Sequence, residues 1–186
     1  TGPGEVHQQS AGSPTLGPYP RGTSPAAQQI TSALEAAGVP CKPTEDIVKA
    51  RWQKALWNAT FNPISIMGGA LDTPPILRTV EDRRFVRTAM MEIAAVAAAA
   101  GYAIAPEVID KLIEGTLAMP AYKSSMALDF ENGRPMEIEP IIGNAVRAAH
   151  QRDVAVPTLG AIYRIAKMVE VKMRSETREP ALIAET

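Results

Sequence analysis

The chain has 186 residues, 46% of them hydrophobic and 21% charged, enough for one domain with a real core, or one domain and part of another. Its formal net charge of -1 leaves no basic field to attract nucleic acid or acidic lipid. The lone cysteine, Cys41, and two distant histidines, His7 and His150, exclude an intramolecular disulfide and a Cys/His zinc site.

Residues 1–23 carry Gly2, Pro3, Gly4, Gly12, Pro14, Gly17, Pro18, Pro20 and Gly22. Helix cannot run through them, so they predict loop with short strands around Glu5–Gln8 and Pro14–Leu16. Position 1 is Thr and no charged-then-apolar leader follows, so the chain reads as a piece of a longer protein. Ser24 then offers an N-cap with Pro25 at the first helical position. Ile30, Ala33, Leu34 and Ala37 recur at helical spacing, and Gly38 closes the segment. Val39–Pro43 reads as a further short strand. A unit of this size cannot bury both faces of a sheet and reads as a fragment of an α/β layer.

From Glu45 onward every predicted element is helical. The first runs from Asp46 to about Met67. Thr79-Val80-Glu81-Asp82 forms a capping box that starts the second, which ends at Gly101. Val86, Met90, Ile93 and Ala97 share one face of it, and its alanines allow a neighbouring helix close. It is therefore expected at the centre of the packing and, with Met90 and Met91, as a surface for a homodimer. Pro106–Gly115 is a shorter helix. Met119-Pro120, Ser124-Ser125 and Asn132-Gly133 punctuate 117–134, which predicts loop. Pro135 to about Gln151 is the next helix, with Ile138, Ile141, Ile142, Ala145, Val146 and Ala149 as its stripe. Thr158–Glu176 is the last, followed by a polar tail. The longest apolar run, Ile93–Ala100, is far short of a membrane span. A single unpaired cysteine fits a reducing, cytoplasmic compartment.

Chemistry first shows on the Asp46–Met67 helix. On a wheel of about 100° per residue with Lys54 at zero, Asn58, Asn62 and Ser65 fall near about 40°, 80° and 20°. The rest of the circumference is Trp52, Ala55, Leu56, Trp57, Ala59, Phe61, Ile64 and Ile66. A helix apolar nearly all round is expected to be buried, its polar stripe facing a cleft or a partner. Burial would lower the pKa of Lys54 and make it a usable proton donor. Asn58 and Asn62 offer uncharged amides suited to a carboxylate or hydroxyl. Pro63 removes a helical hydrogen bond and predicts a kink at Asn62. The alternative is that Lys54 snorkels to solvent and the asparagines cap a bend; spacing does not choose between the two.

A second cluster is Tyr122-Lys123-Ser124-Ser125-Met126-Ala127-Leu128-Asp129, followed by Asn132-Gly133-Arg134-Pro135-Met136-Glu137-Ile138. Glu137 is expected in the first turn of a helix, where exposed N–H groups favour a carboxylate. In isolation that location explains it, and the two serines are ordinary loop residues.

Taken together, the two clusters resemble a known family. Trp52-Gln53-Lys54 followed by Asn58 and Asn62-Pro63 is similar to the start of the C-terminal domain of ketopantoate reductases. Ser124-Ser125-Met126, Asp129, Asn132-Gly133-Arg134 and Glu137-Ile138 resemble that family's second motif, in the right order. The resemblance implies a mainly α fold, the multi-helix C-terminal domain of the ketopantoate reductase and phosphogluconate dehydrogenase C-terminal-like type. Residues 46–186 would be this helical, substrate-binding domain. Residues 1–45 would be the incomplete end of an N-terminal Rossmann-type domain.

The resemblance also implies hydride transfer from NADPH to a small 2-keto acid, here ketopantoate to pantoate in pantothenate and coenzyme A biosynthesis. Lys54 matches the general acid. Asn58 and Asn62 match residues that orient substrate and lysine, Ser125 a contact to the substrate carboxylate, and Glu137 a group binding the substrate hydroxyl. Two positions depart from the pattern: Asp72 stands where an asparagine is expected, and Met136 where a threonine is common. They support an alternative, a relative that reduces a different keto acid or ketone. No Gly-x-Gly-x-x-Gly follows a strand, so NADPH is expected to be bound mainly by residues outside this chain. That absence equally suits a non-catalytic helical module, against which the joint presence of Lys54, Asn58, Asn62, Ser125 and Glu137 argues.

Overall fold

The structure, a computed structural model, describes Gly2, Pro3, Glu5 and residues 12–183, with side chains through residue 175. The chain divides into two compact units, Thr1–Arg51 and Trp52–Thr186.

In the first unit, strand β1 (Thr15–Leu16) pairs in parallel with β2 (Lys42–Pro43), Thr15 opposite Lys42 and Leu16 opposite Pro43. Helix α1 (Pro25–Ala36) connects them. Ser24 caps α1 and Pro25 occupies its first turn. Gly38, at φ +75, ends it in a paired return of Gly38 N–H to Glu35 O and Val39 N–H to Leu34 O, a geometry that favours a residue without a Cβ. No residue of α1 is buried; the predicted apolar stripe lies open, Ile30 at 52% exposure. Beyond Glu5, the strand expected over Glu5–Gln8 lies outside the described residues.

The second unit is helical. Helix α2 (Ile47–Met67), whose first turn is counted with the first unit, starts where Asp46 Oδ1 accepts from Lys49 N–H at 2.9 Å. It runs unbroken through Pro63. After the short α3 (Thr73–Ile76), α4 (Val80–Ala99) begins at the expected capping box. Asp82 N–H donates to Thr79 Oγ1 at 3.1 Å, and Thr79 N–H to Asp82 Oδ2 at 2.9 Å. Hydrogen bonding from Thr79 to the Asp82 carboxylate, from its side chain first and then from its backbone N–H, holds that carboxyl below the usual carboxylate range. Val86, Met90, Ile93 and Ala97 are all fully buried, and α4 packs against α5 (Pro106–Ala118), α7 (Asn144–His150) and α8 (Pro157–Ile183). Glu92 fastens the last of these from α4, accepting from the N–H groups of Thr158 at 3.0 Å and Leu159 at 2.7 Å. Met90 belongs to this core, so it cannot serve the dimer surface expected of it; Met91 is exposed.

Three expectations need correction. Residues 117–134 are not all loop: α5 continues to Ala118, and Ser125–Glu131 forms α6. The punctuation was real at both ends, but Ser124 is an N-cap, its Oγ accepting from Ala127 N–H at 3.1 Å, and Met126 and Ala127 bury inward. The next helix begins at Ile138 rather than Pro135, so Glu137 precedes it instead of lying in its first turn. It opens with a wide π turn, Glu139–Gly143, in which Asn144 N–H reaches back to Glu139 O; Pro140 within it has no N–H for a regular ladder. Finally, α8 continues to Ile183, past the end expected at Glu176.

Candidate active site

The polar stripe of α2 passes from solvent into the core. Lys54 is exposed, Asn58 half-buried, and Asn62 and Ser65 each 1% exposed. From Lys54 to Ser65 the helix advances roughly 16 Å. The expectation of a helix buried all round holds only from Leu56 onward; Arg51 and Lys54 face solvent, so the burial expected of the Lys54 ammonium is absent in this chain. Among the described residues Lys54 makes no ion pair.

The inner end of the stripe meets the serine motif. Ser65 Oγ lies 3.1 Å from Ser124 Oγ, a buried contact between α2 and the cap of α6, and Ser65 also donates to Asn62 O at 2.7 Å. The segment leading to this cap is held from α3: Thr73 N–H donates to Tyr122 O at 3.0 Å, and Tyr122 N–H to Thr73 Oγ1 at 3.2 Å. Trp57 completes the junction. It stacks on Phe61 with centroids 4.7 Å apart and meets the edge of Tyr122 at 5.8 Å. Its indole N–H reaches Thr116 Oγ1 at 3.1 Å.

Of the five residues singled out by sequence, Lys54, Asn58 and Asn62 on α2 and Ser125 on α6 therefore lie on elements joined by a direct contact, at the inner end of α2 and far from Lys54. Ser125 is exposed in the first turn of α6, immediately after its buried cap. Glu137 is exposed ahead of the π turn, its carbonyl accepting from Ile141 N–H at 3.2 Å. No hydrogen bond or ion pair among the described residues joins Lys54 to Ser125 or Glu137. The departures separate in kind. Met136 is core, 7% exposed, whereas Asp72 is half-buried at the start of α3 and its side chain makes no capping bond.

Sequence reading missed Ser65 and Ser124 as a pair, and it missed Glu139. The Glu139 carboxylate accepts from Arg147 at 2.6 Å and from the Tyr163 hydroxyl at 2.8 Å, with Lys167 at 3.2 Å. These donors, Arg147 first, pull its pKa down to about 2, and Tyr163 is raised by the same carboxylate. Nothing in local spacing announces this, because the wide turn shifts the register between Glu139 and Arg147.

The described residues include no His, Cys, Asp or Glu cluster able to hold a metal ion, and none of their helices is long and apolar enough to cross a membrane. A dinucleotide pyrophosphate wants free amides at a helix N-terminus behind a glycine-rich turn. The strand-to-helix junction of the first unit does not supply them: Pro25 has no N–H, and Ala27 N–H is taken by Ser24 Oγ at 3.4 Å. A cavity of about 530 Å³ beside it is lined by Glu35 and Glu45 and by no cation. The residues present do not fit the cofactor's diphosphate.

Comparison with known proteins agrees with the helical architecture. The family model described as "Ketopantoate reductase PanE/ApbA C terminal" matches residues 46–170. The crystal structure of 2-dehydropantoate 2-reductase from Methylococcus capsulatus superposes with a TM-score of 0.87 at 47% identity, covering 93% of this chain and 55% of that one. The corresponding enzyme from Geobacter metallireducens gives 0.83 at 33%, covering 90% and 56%. A 2-dehydropantoate 2-reductase of Nostoc is 30% identical over 94% of this chain and 56% of its own length. The chain thus spans about half the length of the relatives it matches, and through residues 46–170 it belongs to the ketopantoate reductase family, in the C-terminal region of that family.

Proposed function

We propose that this chain is the substrate-side catalytic portion of an NADPH-dependent 2-dehydropantoate 2-reductase, converting ketopantoate to pantoate. The observation that supports this reading is the direct Ser65–Ser124 contact, which joins the inner end of the α2 stripe to the cap of α6, next to Ser125. A ketone carbon that gains hydride leaves negative charge on its oxygen; the Lys54 ammonium stabilises that charge and then donates a proton. Asn58 lies one turn away to orient the lysine and the substrate. Asn62, on the buried part of the stripe, shares that role. Ser125 donates to the substrate carboxylate, and Glu137 accepts from the hydroxyl. The hydride donor, NADPH, would be held by residues outside this chain, with residues 1–45 as the end of its Rossmann-type domain and 46–186 as the helical domain. Assembly with a second copy would use Met91 rather than the buried Met90. A reducing, cytoplasmic setting suits the unpaired Cys41.

A second reading, reduction of a different keto acid, draws on Asp72, whose uncapped carboxylate would repel an anionic substrate if turned toward it. Substrate profiling separates the two. The main test is NADPH oxidation by a full-length protein carrying this chain, with ketopantoate and related keto acids; no oxidation with any of them defeats the enzyme reading. In an active protein, Lys54→Ala should lower kcat by about 10²–10⁴-fold, the worth of a positioned acid, with little change in KM for NADPH. An unaltered kcat removes Lys54 from its role.

A further inference from the structure

No step of the reaction passes through the hydroxyls of Ser65 and Ser124, yet their hydrogen bonds allow one arrangement only. A hydroxyl has a single proton. That of Ser65 goes to Asn62 O at 2.7 Å, so across the 3.1 Å contact Ser124 must be the donor and Ser65 the acceptor. Ser124 in turn accepts Ala127 N–H at 3.1 Å. The result is a one-way chain: Ala127 N–H to Ser124, Ser124 to Ser65, Ser65 to Asn62 O. Ser65 is 1% exposed and Ser124 3%, so water does not compete for either hydroxyl.

Capping α6 requires only the Ala127 bond. The bond from Ser124 to Ser65 therefore does something else: it ties the start of one helix to the middle of another. Ser125 follows Ser124 directly, with its Cα about 3.8 Å further along. Asn62 is one turn from Asn58 and two from Lys54. At the α2 end of the chain, the Asn62 side-chain amide is buried and makes no hydrogen bond among the described residues. A buried amide without partners costs free energy, so α2 has reason to shift unless it is anchored, and the anchor observed is the Ser65 bond to Asn62 O.

We propose that Ser65 and Ser124 are positioning residues, a buried hydroxyl relay that fixes the distance between Ser125 and the α2 stripe. Affinity for the keto-acid carboxylate then depends on them, while proton donation by Lys54 does not. This rests on the reductase reading above.

The test uses a full-length protein carrying this chain and steady-state reduction of ketopantoate with NADPH. Ser65→Ala and Ser124→Ala are each expected to raise KM for the keto acid about tenfold, the loss of roughly one well-placed hydrogen bond. KM for NADPH should stay unchanged and kcat within about threefold of the parent. The double variant should be no worse than either single, because both break one chain. Ser124→Asn retains a capping group but not the relay, and should behave as Ser124→Ala does. Should Ser65→Ala not fold, Ser65→Cys, of nearly the same volume and a weak donor, takes its place in the comparison. Lower melting temperatures with an unchanged KM, or KM effects that multiply in the double variant, overturn the relay alone. An inert parent protein overturns the reductase reading, and the relay with it.

Discussion

At the scale of single residues, the best-supported ionic feature of the helical unit is one the sequence did not announce. Glu139 accepts from Arg147, Tyr163 and Lys167 across the π turn, α7 and α8, and its pKa falls from 4.5 to about 2. A carboxylate whose folded pKa is depressed contributes stability that is fully present above its unfolded value and is lost as pH falls through the folded one. The contribution of Glu139 should therefore be intact above about pH 5 and disappear between there and about pH 2. Its side chain is 42% exposed, so solvent screening keeps the effect modest. Urea midpoints of the parent and Glu139→Gln, followed from pH 7 downward, should differ at neutrality, draw together below about pH 5 and meet near about pH 2. A constant gap across that range would mean that Glu139 acts through shape or uncharged hydrogen bonds.

Single elements show what periodicity can and cannot tell. Helix α4 was legible because its capping box, its apolar face and its terminal glycine agree, and the same residues appear as cap, core and end. Cap and face should differ in weight. Thr79→Ala is expected to cost about 1 kcal/mol, and Ile93→Ala, at a fully buried position, about 2–5 kcal/mol. Chemical denaturation of both variants decides it, and a Thr79→Ala cost equal to that of Ile93→Ala would contradict the central role of α4 in packing. Helix α6 was missed because seven residues give too short a run for periodicity, and Ser124-Ser125 was read as punctuation although Ser124 starts the helix. The start of the following helix was misplaced because Pro135 resembles a first-turn proline, while Pro140 lies within the wide turn. In α2, composition predicted burial of the whole circumference, but a sequence states what a helix could bury and not how much neighbouring surface is there to bury it. Hence Lys54, at the outer end of the stripe, is exposed where the composition of the helix suggested burial.

For the whole molecule, the decisive question is whether the chain can hold a dinucleotide. The first unit has the β–α–β connection that such sites use, so topology alone would allow it. The chemistry at the junction argues otherwise: α1 begins with a proline, the Ala27 amide is already satisfied by Ser24, and the adjoining cavity carries Glu35 and Glu45 without a balancing cation. A diphosphate placed there would meet like charge and no cation in the lining. A ligand at 100 times its Kd adds about 2.7 kcal/mol to stability. For 150–250 residues that raises Tm by roughly 5–10 °C. This chain should show no such shift with NADPH or NADH at millimolar concentration, and no keto-acid-dependent oxidation of either. A saturable rise in Tm with NADPH would place a nucleotide site inside these 186 residues, and the proposed division of labour between a cofactor-binding part and a substrate-binding part would have to be redrawn around it.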